Sequence, residues 1–475
     1  MKKILILFLS VSLWGCTEGF TDLNINPTAP VEVQPELLWR KVLYDHADNM
    51  SYEGFVAGNL LGQYFTAIDF NLFDRHGLTQ PQYGGNPWGF LYENLRDTEI
   101  LLSKSRSNPA FAVYEGPALI YKAFLTGQLT DLYGDVPYSQ ALQGKTGNVT
   151  PSYDMQRDIY LGANGILDNL QKGLATIAQY RGAVRMQGDI LYNGDLTKWQ
   201  KLGRSLQVKY LMRMSAKENV STRLQQVLAS GALITETGDD AQYAFTASQP
   251  NNFRMSTARI GDFNLFIMSE TMEEILRSYQ DPRMMVYFRP TANNAQIYRG
   301  LRNGPDASQL SISVGNYSFS GRIFREEAGR LKANFLTSFE VNFLLAEAAL
   351  KGFIPGNAKN YYDKAVQQAF AFWGTALPTT YLTDGPAAFE ASRGLQQIIT
   401  QKWLGNIING YEGWIEYRRT GFPVLKPVTA SLNNQVIPVR MPYPTTEDAL
   451  NNANFRVAAD RTQNNSINAK VWWQP

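Results

Sequence analysis

The residue whose setting most clearly specifies a chemistry is the single cysteine, Cys16. Lys2 and Lys3 precede a run from Ile4 to Leu13 that is apolar apart from Ser10 and Ser12. A run of ~10 such residues matches the core of a secretory signal and falls well short of the ~20 that cross a bilayer as a helix. Leu13-Trp14-Gly15-Cys16 then places an aliphatic residue three before the cysteine and a small one directly before it. The segment resembles a lipobox, with Trp14 bulky for its place. A thiolate is the side-chain nucleophile that accepts a diacylglyceryl group, and several acyl chains anchor stably where one is marginal. Residues 1–15 are therefore expected to be a lipoprotein signal peptide, 16–34 a lipid anchor and tether, and 35–475 the body.

Other reactive constellations are scarce. One cysteine forms no intramolecular disulfide, and with only His46 and His76 beside it an ordinary zinc site is nearly excluded. Calcium, which takes oxygen ligands, is neither demanded nor forbidden, and no cofactor is expected. The chain has no Walker A loop, no G-x-G-x-x-G, no G-x-S-x-G and no H-E-x-x-H. A Ser-His-Asp triad would have to use one of the two histidines. His46 falls on an early helix with Leu37, Leu38, Lys41, Val42 and Asp45, where a solvated or core imidazole is the default. His76, beside Arg75 in a loop, is expected at the surface. Paired carboxylates for glycoside hydrolysis are set by separation in space, which spacing along the chain does not report.

Composition narrows the partners. Lys and Arg total 44 against 42 for Asp and Glu, a net charge of +2, which offers no electrostatic footprint for nucleic acid and no polybasic membrane patch. Hydrophobic residues at 44% and charged residues at 18% are ordinary for a chain with a substantial core.

The elements that must position any site are mostly helical. Apolar residues recur at helical spacing in Ala118, Tyr121, Leu125, Leu129 and Leu132. They do so again in Ile159, Ala163, Ile166, Leu170, Leu174 and Ile177, predicted as one helix capped by Asp154. Trp199, Leu202, Leu206, Tyr210 and Met214 follow a cap at Asp195. Thr337 and Glu340 have capping-box spacing before Phe339, Phe343, Ala346 and Leu350, with Gly352 suited to the helix end. Asn357 is read as the cap of a helix carrying Tyr362, Ala365, Ala369 and Phe372. A further helix with Leu395, Ile399, Trp403 and Ile407 is expected to end near Gly410. Such helix pairs are similar to tetratricopeptide hairpins, although no regular ~34-residue period is present. Strands are predicted at Tyr243–Thr246 and Gln435–Met441. Three long non-helical stretches, Thr66–Pro87, Thr246–Phe263 and Pro290–Arg322, mix Gly, Asn, Pro and Ser with aromatics. Loops of that length inside a domain are usually functional or disordered, and the aromatics argue against disorder.

Several short segments taken in order resemble the SusD/RagB family of outer-membrane lipoproteins, its SusD-like nutrient-binding branch in particular. They are FTDLNINP from Phe20 to Pro27, LTDLYGDVPYS from Leu129 to Ser139, NGDLTKW from Asn193 to Trp199 and AEAALKG from Ala346 to Gly352. QKW at Gln401 to Trp403, EGWIEYRRTG at Glu412 to Gly421, IPVR at Ile437 to Arg440 and Tyr443-Pro444 complete the set. The resemblance implies a mostly α fold, with tetratricopeptide-like pairs forming a superhelical body and a loop-rich, minor-β part at about 240–330 between the helical halves. It also implies a binding protein, not an enzyme, that sits over a SusC-like TonB-dependent transporter and captures oligosaccharides or, in some members, peptides. A lipid-anchored glycosidase is the less favoured alternative.

The quoted motifs read as structural. Asp131 and Asp135 are expected to serve capping and turn bonding, and Arg418 and Arg419 to pair with Glu412 and Glu416. The ligand is expected in the long loops, where sugar C–H faces pack on flat rings while amides and guanidinium groups meet hydroxyls. The candidate contacts are Phe70, Phe73, Tyr83, Trp88, Asn264, Arg299, Asn303 and Tyr317. Trp88 also opens a helix with Leu91, Tyr92 and Leu95, which gives it a second reading as core.

Overall fold

The helix Glu115–Tyr133 buries almost every side chain it carries, so it has no solvent face and the other helices must surround it. The computed structural model describes residues 33–79, 84–306 and 314–475. Cys16 and the tether up to residue 32 therefore lie outside the described residues, as does Tyr83.

In chain order, α1 (Pro35–Glu53) runs through a π-helical turn, Gly54–Gly58, toward β1 (Phe65–Ala67). Helices α2 (Trp88–Ser107) and α3 (Glu115–Tyr133) follow. A two-residue ladder then pairs β2 (Val136–Pro137) antiparallel with β3 (Tyr153–Asp154). Next come α4 (Gln156–Leu161), α5 (Ile166–Gln179), α6 (Leu196–Arg213) and α7 (Ser221–Ala229). The less regular middle holds β4 (Ala241–Ala244), β5 (Phe266–Met268), α8 (Glu270–Ser278) and β6 (Lys332–Leu336). The C-terminal part adds α9 (Ser338–Leu350), α10 (Ala358–Phe372), α11 (Gly394–Gly405), α12 (Gly410–Thr420), α13 (Thr445–Leu450) and α14 (Asn452–Arg461).

Helices pack as antiparallel pairs of the tetratricopeptide type. Trp88 at the head of α2 meets Tyr133 at the foot of α3, ring centroids 4.9 Å apart. Phe339 at the start of α9 meets Phe372 at the end of α10 at 5.5 Å. Helices α3 and α5 come close together where a Cβ on Gly116 would lie 2.9 Å from the Gly173 carbonyl oxygen, and one on Gly173 2.8 Å from that of Gly116. Two glycines facing each other allow the axes to close up, and no other residue fits there.

Charge is sealed into this core. Arg213 on α6 pairs with Glu412 (2.8 Å) and Glu416 (2.8 Å) on α12 and with Asp131 (3.3 Å) on α3. Lys209 bonds Glu340, Lys402 reaches Glu412, and Arg419 joins Glu416 to Glu347. Burial alone would raise the Glu416 carboxyl, but Arg419, Lys402 and Arg213 outweigh it and hold it down to about 2. The expected network at Arg419, Glu412 and Glu416 is present. Arg418 instead lies over the rings of Trp414 and Trp473, 4.2 and 4.8 Å from their centroids, and donates to the Asp131 carbonyl.

Local capping signals hold. Asp195 accepts from the Thr197 and Lys198 amides, Asn357 from Lys359, Thr337 from Glu340, and Gly352 ends α9 at φ +70°. The box at Thr337 is one-sided, because the Glu340 carboxylate is drawn to Lys209.

Five expectations are corrected. Asp154 caps no helix: its carboxylate accepts from the Tyr138 and Ser139 amides, and the stripe splits at Gly162–Gly165 into α4 and α5. The helix of Trp403 stops at Gly405, and Gly410 begins the next one. Gln435–Met441 is not a strand; positive φ at Asn434 and Gln435 breaks it, and its amides bond single carbonyls of Ile467 and Leu132. Asp131 is neither cap nor turn but a buried acceptor for Tyr160 Oη, Trp473 Nε1 and Arg213. His76 is buried, and burial pushes its imidazole down to about 4.

Candidate functional site

The loop-rich part is built on a small irregular sheet. β1 pairs antiparallel with β5, Thr66 opposite Ile267, and β5 is bridged on to Phe319 and, through Ser269, to Leu301. Asp74 ties three of these segments together, accepting from Thr66 Oγ1 (2.7 Å), the Ala67 amide (3.1 Å), Asn303 Nδ2 (2.6 Å) and the Gly304 amide (2.8 Å). Burial outweighs these bonds and raises its carboxyl to about 6. The first and third of the long loops are thus held at one carboxylate.

The register of this sheet separates the sequence-predicted contacts. Phe70, 52% exposed, follows β1, and Asn264, half-buried, precedes β5 at the same end, where the Ile68 amide meets the Leu265 carbonyl. Arg299, exposed, and Tyr317, half-buried, lie together elsewhere, joined through the Arg299 amide and Ser318 Oγ at 3.0 Å. Phe73, Trp88 and Asn303 are interior. Phe73 sits against Gly85, and Trp88 packs among Tyr92, Tyr133, Tyr153 and Tyr443. Asn303 donates to the Phe65 carbonyl and to Asp74. These three hold the loops on the body and present no free face; the reason is that a loop with few elements of its own needs large side chains turned inward.

A second aromatic feature is assembled by the fold alone. The outward face of α1 and the strand β4 enclose an open groove of about 260 Å³ lined by Leu37, Arg40, Tyr44, Asp45, Tyr243 and Asn251, among others. Tyr44 and Tyr243 meet edge to face, 5.5 Å between centroids and 85° between planes, forming a corner of two rings. Tyr44 Oη donates to the Pro250 carbonyl at 2.7 Å, which fixes its ring. The spacing of Arg40 and Tyr44 along α1 was legible, but the meeting of Tyr44 with Tyr243, 199 residues on, was not.

His46 is enclosed by Tyr121, Phe124 and Phe335, and burial lowers it to about 3, so it stays neutral. Asp131, Glu340, Glu347, Glu412 and Glu416 are all buried and each is paired with lysine or arginine. Among the described residues no group of three His, Cys, Asp or Glu side chains is placed to hold a metal. No helix among them is long and apolar enough to cross a membrane.

Comparison with known proteins supplies the rest. No curated protein matches the chain. A SusD homologue from Bacteroides fragilis superposes with a TM-score of 0.80 at 24% identity, covering 93% of this chain and 100% of that one. A second from the same species gives 0.78 at 25% identity, covering 93% and 99%. A chitin-binding SusD homologue from Flavobacterium johnsoniae gives 0.78 at 21% identity, covering 92% and 98%. The fold of mostly helical, tetratricopeptide-like pairs is common to them. A family model described as starch-binding and associating with the outer membrane matches residues 27–444, and the chain belongs to this SusD-like family.

Proposed function

We propose that this chain is a lipid-anchored, surface-exposed binding protein that captures oligosaccharides and delivers them, without chemical turnover, to a partner SusC-like TonB-dependent outer-membrane transporter. The observation that carries the reading is the Tyr44–Tyr243 corner. Its rings stand at 85°, so a pyranose can lay its C–H face on one while the other walls its edge. Arg40 and Asn251 beside them supply hydroxyl partners. The Tyr44 bond to Pro250 pre-orders the corner, which lowers the cost of binding. Phe70 and Arg299, the exposed members of the loop set among the described residues, are proposed as further contacts, with Asn264 and Tyr317 beside them. Membership in a family described as starch-binding supports a saccharide ligand.

The test is titration calorimetry of the full chain, purified in detergent, against starch-derived and chitin-derived oligosaccharides and a peptide panel, with products assayed in parallel. Saturable saccharide binding without product, weakened at least about tenfold (~1.4 kcal/mol) by Tyr44→Ala and by Tyr243→Ala, is expected. Turnover would mean a glycosidase, binding of peptides alone would mean peptide capture, and either result overturns the proposal.

A further inference from the structure

Helices α5, α6 and α7, with Leu161 at the end of α4, enclose an open groove of about 600 Å³ on the helical side of the molecule. That is within the ~300–1,000 Å³ of ordinary ligand sites. Leu167, Leu174, Leu211 and Val227 contribute an aliphatic surface to it, and Arg204, Arg223, Gln171, Gln207 and Gln226 its polar groups.

Of the buried arginines, Arg213, Arg283 and Arg419 are held by carboxylates, and Arg418 and Arg440 by aromatic rings and backbone carbonyls. Arg204 is partly buried, and its one hydrogen bond among the described residues is a long 3.5 Å contact from Nη1 to the Ala232 carbonyl. Burial lowers its pKa with no neighbouring acid to oppose the effect. Arg223 is exposed and has no carboxylate within 4 Å among the described residues. The acid in the lining, Asp168, is already taken by Lys172 at 2.8 Å and by the Asn164 amide. The groove therefore presents two guanidinium forks without an anion.

We propose that this groove binds an extended peptide segment carrying a carboxylate, on a side chain or at its C-terminus. A guanidinium fork matches a carboxylate bidentately. Each glutamine offers both a donor and an acceptor to a peptide backbone. An extended strand turns alternate side chains to one side every ~6.6 Å, and the aliphatic surface receives them. No aromatic ring is among the lining residues, so the groove lacks the flat platform a sugar would use. This site is separate from the Tyr44–Tyr243 corner and does not depend on the saccharide reading.

A pooled library of octapeptides with free C-termini, equilibrated with the full chain in detergent and read by mass spectrometry, tests it. Retained peptides are expected to be enriched in Asp or Glu with aliphatic residues at alternate positions. A retained peptide should bind at least about tenfold more weakly when its acids are amidated, and likewise to Arg223→Gln and Arg204→Gln. Arg223 is a surface position, so its variant keeps the test open if Arg204→Gln fails to fold. Retention without acidic bias, no saturable retention, or equal binding by both variants overturns the proposal. So does Arg204- and Arg223-dependent binding of glucuronate oligosaccharides, or of phosphatidylglycerol-containing vesicles, in place of the peptides.

Discussion

Arg213 Nη1 lies 2.8 Å from Glu416 Oε1, an ion pair between α6 and α12 whose ends are 203 residues apart and closed to solvent. Removing one member of such a pair strands the other in a medium that solvates it poorly. Arg213→Met is expected to destabilise by about 3–5 kcal/mol, since Asp131, Glu412 and Glu416 all lose a partner. Urea unfolding checks it, and a loss below ~1 kcal/mol would mean the network relaxes or hydrates.

Gly58 is where the π-helical turn crosses the start of α12. A Cβ there would stand 2.4 Å from the Tyr411 amide nitrogen and 2.8 Å from the Gly410 carbonyl carbon, both backbone atoms that cannot swing aside. Gly58→Ala is expected to cost about 1–3 kcal/mol or more. Gly89, exposed in α2 with nothing within 4 Å, is the control. Gly89→Ala should gain about 0.5–1 kcal/mol, and thermal melts that rank the two the other way contradict the packing argument.

His46 should make the protein acid-sensitive. Its folded pKa, about 3, is below the ordinary 6.5, so the unfolded chain binds the extra proton between those values. The stabilisation is complete above 6.5 and declines as pH falls toward 3, by ~1.4 kcal/mol per pH unit. His46→Phe keeps a ring among Tyr121, Phe124 and Phe335 and should flatten the slope of stability between pH 6.5 and 5. An unchanged slope would show that other groups govern it.

Asp74 acts with the opposite sign. Its folded pKa is raised to about 6 from 3.8, so its contribution is present below 3.8 and is lost as pH rises through 6. Asp74→Asn puts an amide among donors and should cost about 1–3 kcal/mol. Faster hydrogen exchange at the Ala67 and Gly304 amides is the direct readout, and unaltered protection there would remove Asp74 as the tie between loops.

Cys16→Ala is expected to leave the melting temperature unchanged and to release the protein from membranes on fractionation. A variant that still sediments with the membrane contradicts the anchor.

The sequence by itself determined what depends on neighbours along the chain: the lipobox-like leader as an expectation, and the caps at Asp195, Thr337 and Asn357, whose side chains bond amides two or three residues on. It misled at Asp154, where the apolar stripe continued unbroken through Gly162–Gly165 while the backbone did not. Burial was the larger gap. Phe73 and Trp88 read as candidate ligand contacts from composition, yet only packing against Gly85 and the tyrosine cluster shows that they face inward. The tertiary structure alone brought Tyr44 to Tyr243 and left Arg204 without a carboxylate. Contacts between distant segments follow from how helices close on one another, and periodicity tells which face is apolar without telling what that face will meet.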